Sequence, residues 1–345
     1  MIHKCISSGA PSAVPMEMDL RNFNHGWAKQ MKRLGITLID EIGGLDKLKS
    51  LSDEEYEAAK EMAFSYIKKK APELMHTVKG ETPRELTIAE IEKMEDFMVE
   101  HVCAVYKLGY DGVELHTPHG YLLHQFLSPR SNHRTDMYGG STENRARVVT
   151  NIIQRIRKKV GPDKALGCRL SGDELVPGGL THDEVCKIVK LFAEAGVNFV
   201  NVSQGSYENP GAGFAPDGED EFTRWAPGFK EASGGLPIIT PGFVNAETAA
   251  EAIRSKKTDI ISLGRQSIAD PYWPAKVKVG RSGDIVKCIR CQQCYMNLFE
   301  SRWIRCSVNP TAGFEKYYPE LWQDNGLMDV RAKKYIDKRE GLPQI

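Results

Sequence analysis

Two groups of residues in this 345-residue chain carry types and spacings suited to chemistry. The first is Cys288-Ile-Arg-Cys291-Gln-Gln-Cys294, with Cys306 after eleven intervening residues. Zinc sites usually pair two C-x-x-C knuckles, whereas a run of three cysteines plus one remote cysteine is the pattern that wraps a [4Fe–4S] cube. The spacing favours iron–sulfur over zinc, and both over four merely buried thiols. A cluster of that kind handles single electrons, so an organic redox centre in the same protein or a partner is expected to convert between single electrons and hydride. The other cysteines, Cys5, Cys103, Cys168 and Cys186, are scattered and read as small buried residues. Crowding of four thiols in one segment favours metal ligation in a reducing, cytoplasmic compartment over a disulfide scaffold.

The second group is Leu115-His116-Thr117-Pro118-His119-Gly120-Tyr121. It starts where an apolar strand pattern ends, and Pro118 with Gly120 argues against a helix through it. Two imidazoles and a phenol on such a loop suit a carbonyl oxygen that gains negative charge while a neighbouring carbon receives a proton. Histidines that merely cap the strand are the plain alternative. A metal site is disfavoured, because no third ligand stands nearby at an obvious spacing. Two further strand ends, residues 237–243 with Gly242 and residues 262–265 with Gly264 and Arg265, offer glycines that let backbone N–H groups approach a phosphate, plus a guanidinium for charge-assisted hydrogen bonds. Together they favour a phosphorylated cofactor. There is no G-x-G-x-x-G fingerprint, and about forty residues after Cys306 are too few for a dinucleotide-binding domain.

These residues need a scaffold that brings strand ends together. Short apolar runs at 111–116, 165–171, 199–203, 237–240 and 259–263 read as strands. Helical spacing over 88–108, 143–160, 182–194 and 246–255 alternates with them, the pattern of a parallel α/β fold. Five strands fall short of the eight in a closed (β/α)8 barrel. Residues 1–87 would have to supply the rest, yet 24–34 and 52–70 read as helices and only 36–39 looks strand-like. The expectation is therefore an open arc of five or six strands, with helices from 19–70 outside its wall. Lysine and arginine (46) balance aspartate and glutamate (46), so no global field favours nucleic acid or an anionic membrane. No run approaches the roughly 18 apolar residues of a membrane span. The charged runs at 68–70 and 331–340 read as solvated surface.

Residues 109–130, Gly109-Tyr-Asp-Gly-Val-Glu-Leu-His116 through His119-Gly-Tyr121 to Ser-Pro-Arg130, closely resemble the Old Yellow Enzyme family. So does Asn132-His-Arg134-Thr-Asp136-Met-Tyr-Gly139-Gly140-Ser-Thr-Glu-Asn144-Arg145. The cysteine segment followed by Asn309-Pro310 is similar to the iron–sulfur branch that contains 2,4-dienoyl-CoA reductase, bile-acid and steroid oxidoreductases and trimethylamine dehydrogenase. The resemblance covers residues 83–312. It implies a TIM (β/α)8-type α/β barrel that binds FMN, here incomplete at its N-terminal strands, with a C-terminal iron–sulfur segment beside the flavin. The implied division is 1–82 as an atypical, mainly helical segment or insertion, 83–280 as the FMN-binding barrel portion, and 281–345 as cluster segment and tail.

By motif position, His116 and His119 would hold a substrate oxygen and Tyr121 would donate a proton. Arg169 would face the flavin pyrimidine, and Gly242, Gly264 and Arg265 would surround its phosphate. Cys288, Cys291, Cys294 and Cys306 would hold [4Fe–4S]. The implied activity is reduction, or formation, of an activated C=C bond in an enone or enoyl thioester such as a steroid, bile-acid or dienoyl-CoA derivative. An external electron donor or partner flavoprotein would feed it, with FAD and NAD(P)H entering through that partner, and a homo-oligomer is compatible. The alternatives are an amine dehydrogenase, toward which the Cys291-to-Cys294 spacing leans, and a non-catalytic fragment or partner subunit. The 130–145 stretch reads as structural.

Overall fold

The computed structural model describes residues 40, 43–56, 58–59, 84–206, 218–219, 221–299 and 302–317. Helix α1 (Leu45–Lys49) comes first, and residues 53–56 and 58–59 are helical where a charged helix is expected. The remainder of that helix, the helix expected at 24–34, the strand-like 36–39, both charged runs and Cys5 lie outside the described residues.

Helix α2 (Ile88–Lys107) starts at a capping box. The Thr87 hydroxyl accepts the Glu90 N–H at 3.3 Å, and the Glu90 carboxylate accepts the Thr87 N–H at 2.9 Å, satisfying two otherwise orphaned donors. Strand β1 (Gly112–His116) follows, then α3 (Leu122–Leu127) and α4 (Thr142–Val160). The chain continues through β2 (Ala165–Ser171), α5 (His182–Ala195), β3 (Phe199–Ser203), α6 (Ala226–Ala232), β4 (Ile238–Pro241), α7 (Ala246–Arg254) and β5 (Ile260–Ser262). Helices α8 (Arg265–Ala269), α9 (Trp273–Lys278) and α10 (Gln293–Phe299) lead into and through the cysteine segment.

The strands form one parallel sheet in the order β1-β2-β3-β4-β5. Sequential parallel neighbours require a crossover at every step, and each helix is thereby laid on the outer face. Leu166, Cys168, Leu170, Val200, Val202 and Ile238 point outward and are at most 2% exposed. They join Val149, Ile152 and Ile153 of α4 and Ile188, Val189 and Phe192 of α5 in one core. Burying each such side chain contributes about 1.5–3 kcal/mol. Of the scattered cysteines among the described residues, Cys168 is fully buried, whereas Cys103 and Cys186 are half-buried.

In-register partners of a parallel sheet point the same way, so His116, Arg169, Asn201, Ile239 and Ile260 share the inner face. That face is polar on one side, where the Asn201 amide donates to Glu114 at 2.8 Å across β2. Among the described residues, β1 and β5 each pair on one side only, which leaves the five strands as the open arc that strand counting anticipates.

Candidate active site

The loop after β1 is shaped by two consecutive residues with left-handed backbone, His119 (φ 70°) and Gly120 (φ 83°). Before it, the Thr117 N–H and hydroxyl both donate to the Arg169 carbonyl, at 3.2 and 2.5 Å, carrying the β1–β2 pairing one residue further. After it, the Gln125 amide holds the Gly120 carbonyl at 2.7 Å and a bridge joins His119 to Ser206. Tyr121 then becomes the N-cap of α3. The turn therefore folds the three side chains back on one another. The His116 ring centroid lies 5.3 Å from that of His119 and 5.4 Å from that of Tyr121.

His119 Nε2 and Ser203 Oγ are 2.5 Å apart, and Arg169 Nη2 reaches the same hydroxyl at 3.5 Å. Strand ends β1, β2 and β3 thus meet at one point. Burial, then the Arg169 charge and the neighbouring imidazoles, push the His119 ring down to about 2. The His116 ring has an open face but sits deep in the arc, and the same causes bring it to about 4. Both rings are neutral at neutral pH, each with one N–H to donate. Burial raises the Tyr121 phenol, so it keeps its proton. The site pairs neutral donors with a protonated phenol beside a fixed positive charge.

Next to this trio lies a cleft of about 810 Å³, counted to its open mouth, that reaches Arg169, Gly242, Gly264, Arg265 and Cys288. Gly242 has φ 110°, and a β-carbon there would stand 2.9 Å from the Glu219 carbonyl, so no side chain fits. At Gly264 a β-carbon would meet nothing within 4 Å, which leaves its backbone open to the cleft. Arg169 Nε is buried without a hydrogen-bond partner, as is the whole Gln292 amide. A polar group entering the cleft meets donors already in place, so these residues fit a flavin phosphate and ring edge.

The cysteine segment is bolted to the barrel from inside. The Gln266 amide donates to the Val286 carbonyl and accepts the Cys288 N–H, both at 2.9 Å. Asp270 and Lys276 form an ion pair at 2.8 Å with both side chains 0% exposed, and Asp270 also accepts the Val286 N–H. The Cys288 sulfur accepts the Arg290 N–H at 3.4 Å, Cys291 meets the Ser307 hydroxyl at 3.2 Å, and Cys306 is met by the N–H groups of Val308 and Asn309. Donors aimed at sulfur in this way are the contacts that metal-bound sulfur takes up, while burial raises the Cys306 thiol overall. Burial first, and then the nearby thiols, raise Cys294 to about 11. Among the described residues no three His, Cys, Asp or Glu side chains stand in a ready metal-holding group. Cys288, Cys291 and Cys306 lie close enough to Cys294 to act on its charge, and four thiols are the donor set that an iron–sulfur cluster takes.

Four site residues carry no signal that singles them out in the sequence. Ser203 is one polar residue ending an apolar strand. Gln292 and Tyr295 sit inside the cysteine motif, whose thiols draw the attention, and both line the cleft. Burial and then Tyr121 raise the Tyr295 phenol. Glu174 lies 46 residues from Ser128, whose hydroxyl it accepts at 2.6 Å, and it pairs with His124 at 3.3 Å behind α3. The 130–145 stretch is structural: the Asn132 amide binds the Phe126 and Tyr138 carbonyls, and Ser141 caps α4.

The profile of the NADH:flavin oxidoreductase / NADH oxidase family matches residues 33–284. An NADH oxidase of Thermoanaerobacter brockii is 41% identical over 249 residues, 71% of this chain and 38% of the relative. The structure of 2-naphthoyl-CoA reductase in complex with 2-naphthoyl-CoA superposes with a TM-score of 0.64 at 36% identity, covering 68% of this chain and 36% of that one. Histamine dehydrogenase from Rhizobium sp. 4-9 superposes with a TM-score of 0.61 at 31% identity, covering 68% and 34%. The chain spans a little over a third of the length of these proteins. The five-stranded parallel arc is that of their TIM-type barrel, and among the described residues no helix is long and apolar enough to cross a membrane. With the profile covering well over half its length, the chain belongs to the NADH:flavin oxidoreductase family.

Proposed function

We propose that this chain carries the site of an FMN- and [4Fe–4S]-dependent oxidoreductase that reduces an activated C=C bond of an enone or enoyl thioester. The observation that carries the reading is the packing of His119 and Tyr121 against the His116 ring at the end of β1, with 5.3 and 5.4 Å between centroids, where burial lowers both imidazoles and raises the phenol. Likeness to a reductase seen with an acyl-CoA thioester supports this substrate class. Arg169, Gly242, Gly264 and Arg265 would hold the flavin, and Cys288, Cys291, Cys294 and Cys306 the cluster. Residues 83–280 then act as the flavin-binding unit and 281–345 as the cluster segment.

When bound, FMN supplies a hydride for the β-carbon, and the cluster supplies the single electrons that replenish it. The chain's own residues do the rest. His116 and His119 each donate an N–H to the substrate's carbonyl oxygen, which gains negative charge as the β-carbon is reduced. A neutral ring still carries the one N–H that this role needs. The Ser203 hydroxyl, 2.5 Å from His119 Nε2, fixes which way that ring faces. Arg169, whose guanidinium reaches the Ser203 hydroxyl at 3.5 Å, would face the flavin pyrimidine and stabilise negative charge there. Tyr121 gives its phenolic proton to the α-carbon and recovers one from solvent. One hydride and one proton add across the double bond, so atoms and electrons balance.

Oxidation of a small amine is the second reading, supported by the likeness to histamine dehydrogenase. Two anaerobic mixes separate the readings: reduced protein with a cyclic enone or an enoyl thioester, and oxidised protein with histamine or trimethylamine. Flavin reoxidation by the enone is the expected result. Flavin reduction by an amine, with no response to any enone, would overturn ene reduction.

A further inference from the structure

We propose that Gln292 is a flavin-binding residue, reading a polar edge of the cofactor from within the cysteine loop; this rests on the flavin reading above. The side chain is only 2% exposed, and neither its amide nitrogen nor its amide oxygen has a hydrogen-bond partner. A buried amide without partners is costly, and native proteins rarely leave both ends of one unmatched. Yet the residue lines the cleft shared by Arg169, Gly242, Gly264 and Arg265.

The backbone holds it there against its own preference. Gln292 has φ 61° and Arg290 has φ 52°, left-handed conformations that residues with a β-carbon seldom adopt. Such strain persists only where surrounding contacts over-determine it, and it gathers at ligand sites. Those contacts are present: the Arg290 guanidinium donates to the Gly218 carbonyl at 2.6 Å and to the Gly242 carbonyl at 2.9 Å, clamping the cysteine loop onto the loop after β4. Gln292 therefore has a fixed position, set by the same turn that carries Cys291 and Cys294.

The chemistry of the amide selects the ligand edge. A carboxamide presents N–H groups beside a carbonyl, so its full match offers an acceptor next to a donor. A flavin has such edges in its imide and in its ribityl hydroxyls. A phosphate offers acceptors alone at full ionisation, and so does an enone carbonyl. The amide thus matches the cofactor better than either.

The test is FMN titration into the deflavinated 345-residue chain, followed by flavin fluorescence, for the wild type, Gln292→Leu and Gln292→Asn. Iron content and the melting curve are measured on the same samples. Losing two hydrogen bonds of ordinary strength should weaken FMN binding by about tenfold or more in Gln292→Leu. Iron and melting should stay at wild-type values, and Gln292→Asn, whose amide is withdrawn by one methylene, should fall between. An FMN affinity within about twofold of wild type in both variants would overturn the proposal. So would a raised KM for the enone with unchanged FMN affinity, which would assign the amide to the substrate, and so would loss of iron in both variants, which would make the residue a structural part of the loop. Wild-type protein that binds no FMN would instead overturn the flavin reading itself, a failure visible before any variant is compared.

Discussion

Lys276→Met should be among the most damaging single changes outside the site. Lys276 and Asp270 are both 0% exposed, with Nζ and Oδ2 2.8 Å apart. Lys276 Nζ also donates to the Asp284 carbonyl at 3.1 Å, while Asp270 accepts the N–H groups of Tyr272 at 3.0 Å and Val286 at 2.9 Å. Methionine fills the volume of the lysine stem but leaves a carboxylate in the core with backbone donors alone. Breaking a buried pair from one side costs about 3–5 kcal/mol. At roughly 2–4 °C per kcal/mol for a chain of this size, the melting temperature should drop by roughly 6–20 °C. The double variant Lys276→Met/Asp270→Asn keeps an acceptor for the backbone donors and removes the charge, so it should regain more than half of the loss. Val286 precedes Cys288 by two residues, so iron retention should follow the same order. The assay is thermal unfolding with iron analysis of each protein. A Lys276→Met variant within about 1 kcal/mol of wild type, or a double variant no better than the single, would refute the reasoning.

Iron and inorganic sulfide should each approach about four per chain after anaerobic preparation, and stoichiometric zinc without iron would sink the cluster assignment. For His116→Ala, both a higher KM and a lower kcat are expected in steady-state enone reduction, because an oxygen-binding donor acts in ground and transition states alike; an unchanged KM would argue against contact with substrate. His119 is held at about 2, below the ordinary histidine value of about 6.5, so the unfolded chain binds a proton that the folded chain refuses. The stability this neutral ring contributes is whole above about pH 6.5 and is lost progressively as pH falls toward its folded value. Urea midpoints at about pH 7.5 and about pH 5 should therefore differ less in His119→Gln than in wild type, and an equal difference would show that the ring is not buried neutral.

The sequence reveals most where burial is most complete. Strands β2 and β3 are apolar on the helix-facing side and end at Ser171 and Ser203, so pattern alone recovers their limits. Strands β4 and β5 shift by a residue at their ends because they are short and half-exposed, which weakens the apolar signal. Helices α3, α8 and α9 have five or six residues, too few for a 3.6-residue period to declare itself. Arg169 and the two histidines are legible through a motif, whereas Ser203 and Glu174 join the site only because parallel crossovers bring distant strand ends together. Gln292 illustrates the remaining gap: nothing in C-x-x-C-Gln-Gln-C separates it from its neighbour, Gln293, which bonds Asn297 along α10.

Tyr121→Phe tests the central claim most directly, when its two half-reactions are timed separately under anaerobic conditions. Removing a positioned general acid should slow reoxidation of the reduced flavin by an enone about 10²–10⁴-fold, while flavin reduction by the electron donor stays near the wild-type rate. Equal slowing of both half-reactions, or no slowing of either, would contradict the role given to Tyr121 and with it the account of this site.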